Sequence, residues 1–368
     1  MSTATKKTVL SNDARDKLAF MDQHGIDVSV VSIHNTTFDQ TCLSAEQIVK
    51  LVRQINDELA AFCRGAESHE ASKLNSHRDE PHSNGTQPQR LFAFGTLPLA
   101  QNVEQTQVLQ VIEQIQQAPS LKGVMIGTSG LGSGLAHEAL EPVWEALAAS
   151  GLVAFVHPQG DQHSLCCRDV RYSSVLSSAL GEPFEVTVAV SELILSGVLD
   201  RHPDLKLLLS HSGGSVSTLS SYLSACVQRD VKVRDELKND VRYYLSQMWF
   251  DTLGTTGTDE LTLVERTIAR AEKYEGKDEE LEFVDRVTRR SDLIESTTGS
   301  FPGTDRILFG TDHPLSFRPF EPGEDDVVGK WRAVNDTLEV VQTVEGWNEA
   351  EREKVLGQNA VELFDLWA

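Results

Sequence analysis

The chain has 368 residues, 40% of them hydrophobic, with 33 basic against 55 acidic residues and a formal net charge of -22. That length can bury one barrel-sized α/β domain or two smaller ones, and the acidic surplus opposes nucleic acid and anionic membrane surfaces as partners. No run approaches the roughly 18 apolar residues of a membrane span, and the opening "MSTATKKTVLSNDARD" lacks the apolar stretch of a signal peptide, so a cytoplasmic protein is expected.

In chain order, "SNDARDKLAFMDQHG" (11–25) opens on polar capping residues and closes at Gly25, which predicts a helix. "DVSVVSI" (27–33) predicts a strand. Residues 65–90 are polar and nearly free of large apolar side chains, and read as a mobile surface insertion. Its histidines, His69, His77 and His82, stand eight and five residues apart and fit a plain loop better than a metal site. "LFAFGTL" (91–97) and "KGVMIG" (122–127) predict two more strands. "HEALEPVWEALAASG" places Leu140, Val143, Trp144 and Leu147 on one helix face before Gly151.

"LVAFVH" (152–157) predicts a strand, and "PFEVTVAVSELILSGVLDRHP" a helix ending near Gly197 with Pro203 beyond. Strands follow at "LKLLLSH" (205–211), "SQMWFD" (246–251) and "RILFGTD" (306–312), with a charged insertion over 256–300 that carries helical patches around "LTLVERTIARAEKYEG" and is read as a solvated excursion. Nearly continuous apolar runs alternating with helices predict a parallel α/β sheet, its strands buried on both faces. The five cysteines, Cys42, Cys63, Cys166, Cys167 and Cys226, have no C-x-x-C spacing and support neither a disulfide framework nor a cysteine zinc site.

Polar chemistry gathers at strand ends. "FVHPQG" ends a strand with His157, "LLLSHSGG" with His211, and "ILFGTDHP" with Asp312. In a parallel α/β barrel the carboxyl ends of the strands open on one face, so these three side chains are expected to converge. A single strand-end histidine is usually a satisfied turn residue. Two histidines and an aspartate in equivalent places form a catalytic-type ligand and acid/base set. His24 and His202 lie beside helix ends, His137 starts a helix and His163 falls in a loop.

The segments "LFAFGTLPL", "LKGVMIGTSGLGSGL", "LEPVWEALAASGLVAFVHPQG", "SGVLDRHPDLKLLLSHSGG" and "RILFGTDHP" resemble the metal-dependent decarboxylases of the amidohydrolase superfamily, the group named for aminocarboxymuconate semialdehyde decarboxylase. "IGTSGLGSGL" and "NTTFD" (35–39) are most similar to the fungal uracil-5-carboxylate (isoorotate) decarboxylases. The resemblance covers about residues 14 to 365 and implies a (β/α)8 TIM-barrel-like domain over 1–368 that carries both insertions.

It implies His157 and Asp312 as metal ligands, Asp312 and His211 as catalytic groups, and Asn35 and His211 as substrate contacts. The implied cofactor is a divalent metal, zinc foremost, and the implied substrate a small cyclic or aromatic carboxylic acid such as 5-carboxyuracil. A homodimer is a further possibility, with the helix at 183–199 as one candidate interface.

Two departures stand out. The family often carries an aromatic residue soon after "TDHP", where this chain has Leu315, and its first strand carries a His-x-His that is found nowhere here. The predicted strands number seven, one short of the barrel. A missed first exon, a natural form in which "KKTVL" fills the gap without ligands, and a pseudoenzyme each account for this. Hydrolysis of a lactone or amide, and metal-free binding, are the alternative activities.

Overall fold

A computed structural model describes residues 14–33, 42–75, 89–159, 173–252, 257–269, 303–313 and 332–366. All seven predicted strands form: β1 (Ser29–Val31), β2 (Leu91–Thr96), β3 (Leu121–Gly127), β4 (Val153–His157), β5 (Leu207–Leu209), β6 (Trp249–Asp251) and β7 (Ile307–Leu308). They make one sheet in sequence order with every neighbouring pair parallel. The architecture is that of a (β/α)8 barrel one strand short.

The helices cross between strands: α1 (Ala14–His24), α2 (Ala45–Asn75), α3 (Gln105–Gln116), α4 (Glu141–Ser150), α5 (Ser173–Leu176), α6 (Glu182–Leu195), α7 (Val198–Arg201), α8 (Val216–Arg229), α9 (Val231–Glu236), α10 (Val241–Ser246) and α11 (Thr258–Ile268). Three more, α12 (Arg332–Thr343), α13 (Glu349–Glu353) and α14 (Asn359–Phe364), follow β7. Gly151 ends α4 at φ 70°, as its place in the sequence predicts. No described helix is long and apolar enough to cross a membrane.

Two expectations are corrected. The segment from 65 does not begin as a loop, because α2 continues to Asn75; residues 76–88 lie outside the described residues. Nor is the start of the 256–300 segment a solvated excursion. Residues 258–268 form α11, which buries Leu261, Val264 and Ile268 against the core at helical spacing. Surface charge hid that stripe.

The two-residue period of the strands divides the core. Ala93, Val124, Ile126, Ala154, Val156, Leu207, Leu209, Phe250 and Ile307 face the helices. Phe92, Phe94, Met125, Val153, Leu208, Trp249 and Leu308 face the interior, where Leu363, Phe364 and Leu366 join them. Fully burying each such side chain contributes about 1.5–3 kcal/mol.

The sheet stays open between β1 and β7 among the described residues. The free edge of β7 is covered by the C-terminal segment: the Phe309 N–H donates to the Val355 carbonyl at 3.0 Å, and the Asn359 amide donates to the carbonyls of Thr304 and Ile307 at 2.7 and 2.8 Å. Asn359 is buried. Asn359→Ala leaves two buried carbonyls unpaired and should lower unfolding stability by about 2–4 kcal/mol. A urea midpoint equal to that of the parent chain would contradict this role.

A candidate active site at the carboxyl ends of the strands

The inward positions of the strands continue upward from the apolar interior into polar groups. On β4, Val153 and Phe155 line the interior and His157 is the next residue of that face, its ring 5.6 Å from the Phe155 ring. On β6, Trp249 faces in and Phe250 faces the helices, so Asp251 is the next inward residue. The pleat therefore delivers polar side chains to one end of the interior.

The His157 Nδ1–H donates to the Pro158 carbonyl at 2.9 Å, which makes Nε2 the lone-pair nitrogen. The His211 ring lies 6.1 Å from the His157 ring, centroid to centroid, and its Nε2 is 3.8 Å from Glu182 Oε2. Burial, with repulsion from His157 second, pushes the His211 imidazolium down to about 4, so His211 is neutral near pH 7.

His211 opens an unusual turn. His211, Ser212, Gly213 and Gly214 all have positive φ, at 53°, 52°, 75° and 63°. A non-glycine residue pays about 1–2 kcal/mol for that region. Asp251 holds the turn by accepting the Ser212 N–H on Oδ1 at 3.1 Å, while the Ser212 hydroxyl donates to the Asp251 carbonyl at 2.8 Å. Gly214 admits no side chain, because a Cβ there would collide with the Pro183 carbonyl. Asp312 too is left-handed, at φ 50°.

Three carboxyl groups at this centre are weakened as acids, and Asp312 adds to the shift of the other two. Burial first, with repulsion from Asp312 also acting, pushes Asp251 up to about 7 against the opposing Ser212 N–H. Desolvation by the surrounding protein pushes Asp312 up to about 6, although the residue is exposed at the rim among the described residues. Glu182 is raised by burial, then by Glu185 and Asp312. Glu185 accepts from the Thr128 hydroxyl at 3.1 Å and the Gln159 N–H at 3.0 Å, tying the ends of β3 and β4 to α6. Gln159 is also bonded to the Ser129 hydroxyl.

The expected residues thus meet unequally. His157 and His211 stand side by side, Asp312 joins them through the field it shares with Glu182 and Asp251, and Asn35 lies outside the described residues. Among the described residues, no three His, Cys, Asp or Glu side chains come together as a group able to hold a metal ion. The sequence reading missed Asp251, although "WFD" ends an apolar strand much as "FVH" does. It also missed Glu182, which helix periodicity hides.

The amidohydrolase family profile matches residues 87–226. Decarboxylase yanB of Aspergillus niger is 26% identical over 236 residues, covering 63% of this chain and 60% of that protein. The 2-amino-3-carboxymuconate-6-semialdehyde decarboxylase of Dictyostelium discoideum is 23% identical over 301 residues, covering 80% of this chain. The match spans 66% of that relative, so the chain covers less than two thirds of either curated protein. The crystal structure of the Metarhizium anisopliae IDCase in apo form superposes with a TM-score of 0.69 at 29% identity, covering 97% of this chain and 79% of that one. With parallel strands in sequence order and polar groups at their carboxyl ends, the chain is similar to these decarboxylases in fold and sequence, and its residues 87–226 match the amidohydrolase profile.

Proposed function

We propose that the chain is a non-oxidative carboxy-lyase acting on small cyclic or aromatic carboxylic acids, with 5-carboxyuracil the leading substrate. The observation that carries this reading is the gathering of a neutral His211 and three acid-weakened carboxyl groups at one end of the sheet. Loss of carbon dioxide needs a proton at the carbon that bears the carboxylate. Asp312 is the proposed donor. As the bond to the carboxylate breaks, its electron pair takes the proton from Asp312, carbon dioxide leaves, and water reprotonates Asp312. His211 takes part as acid/base and orients the substrate, with Asn35 as a further contact.

A divalent metal, zinc foremost, is proposed as the cofactor, with His157 and Asp312 as ligands. The donor types fit, since a lone-pair imidazole nitrogen and crowded carboxyl groups favour a cation. The count does not: the described residues supply no complete set, and the sequence has no His-x-His to extend it. The steps above are therefore assigned to the chain's own side chains. Asp251 is a positioning residue, because it holds the left-handed turn that aims His211.

The chain also exposes an apolar face. Phe184 and Val188 on α6, and Leu219 and Tyr222 on α8, are 42%, 56%, 40% and 71% exposed. We read this face as the contact of a homodimer. Sedimentation should give twice the chain mass, and Val188→Asp should halve it; a monomeric parent chain removes the reading.

Carbon dioxide release from a panel of such acids, with and without added zinc, tests the activity. Release is expected, and Asp312→Ala or His211→Ala should slow it by about 100-fold or more. A ring-opened product without carbon dioxide selects a hydrolase, and no turnover with no bound metal selects a binding barrel. Asp251→Asn keeps an acceptor for Ser212 and should preserve kcat within about threefold, while Asp251→Ala should lower kcat at least about tenfold with little change in KM. Equal loss in both variants would mean that the Asp251 charge, not its positioning bond, matters.

A further inference from the structure

Lys17 sits half-buried on α1, an unusual place for an ammonium, and no carboxylate stands beside it among the described residues. Its Nζ lies 3.4 Å from His313 Nδ1 and 4.8 Å from the centre of the Phe20 ring. Phe20 and His313 stack at 3.6 Å with 15° between their planes, and His24 packs on Phe20 at 4.8 Å. An ammonium and two imidazoles thus line one aromatic wall. Burial pushes the Lys17 ammonium down to about 8.

A lysine laid over an aromatic ring to cover it would keep its charged end in water. Here burial weakens the charge, and among the described residues no carboxylate compensates for it. Its location gives this cation a use. His313 follows Asp312 directly, where the chain turns through the left-handed Asp312, and α1 meets it across the open seam between β7 and β1. Lys17 therefore lies beside the turn that follows Asp312, on the side of the sheet left open among the described residues.

We propose that Lys17, with His313 and His24 beside it, is an anion-recognition point of the strand-end centre and binds the carboxylate of a planar acid. The half-buried His313 ring, held flat by its stack on the buried Phe20, supplies the planar surface that such a ligand's ring would meet. This assignment rests on the reading of the chain as acting on small planar carboxylic acids. It adds a residue, on a helix ahead of the first strand, to a site otherwise built from strand ends.

Benzoate, which carries the carboxylate on a flat ring, is the probe. Titration calorimetry of the full chain should show binding that Lys17→Met weakens at least about tenfold and Lys17→Arg retains within about threefold. In the unmutated chain, benzoate should also protect the Lys17 amine from acetic anhydride, read by peptide mass mapping, which decides the matter even where Lys17→Met fails to fold. Absence of benzoate binding, equal affinity in Lys17→Met, or no protection overturns the proposal. The two readings separate cleanly. Benzoate binding through Lys17 with no carbon dioxide released from any acid removes the decarboxylase and leaves the subsite, whereas carbon dioxide release with unchanged benzoate inhibition in Lys17→Met does the reverse.

Discussion

A parallel strand buried on both faces must send alternate side chains to two different apolar environments, and this two-residue period underlies the whole molecule. Phe155 and Trp249 fill the interior because Val156 and Phe250 are taken by the helices. Once the interior is filled with aromatic and aliphatic side chains, the next inward position lies at its rim. His157 and Asp251 occupy that position because the strands run in one direction and end together. A one-residue register slip would place these polar groups under the helices and expose the interior.

The rim is held by backbone that is unfavourable in isolation. Four residues with positive φ are not glycine among those described, and three of them, His211, Ser212 and Asp312, belong to the site. Such conformations persist where surrounding groups over-determine them. Asp251 does so for Ser212, and the Pro183 carbonyl leaves Gly214 no room for a side chain. The same bond that fixes the turn also keeps a buried carboxyl at its centre, so positioning and electrostatics share one residue.

Seven apolar runs were legible as seven strands because burial on both faces writes a continuous signal. His157 and His211 were legible for a related reason: a polar residue ending such a run contrasts with what precedes it. The contrast fails for Glu182, which lies on a helix where acidic residues are commonplace, and for Lys17, whose neighbour His313 is 296 residues away in sequence. The extension of α2 to Asn75 and the burial of α11 were hidden for the opposite reason. On α11 a charged surface outweighs a narrow apolar stripe, so composition suggests solvent while spacing supports packing.

Charge joins the two halves of the site. Asp312 raises both Glu182 and Asp251, and the imidazole nearest Glu182 is neutral, so His211 offers these carboxyl groups no full positive charge. Carboxyl groups in that position have two ways to relax: they keep a proton, or they gather a cation. On the proposed reading the first would make Asp312 the acid that protonates carbon, and the second would make it a ligand. Lys17 is the inverse case, a cation held one residue beyond Asp312 without a carboxylate of its own. An anionic ligand is the partner that can meet both, since its charge would stabilise the ammonium while its reacting carbon takes up the proton that the crowded carboxyl groups retain.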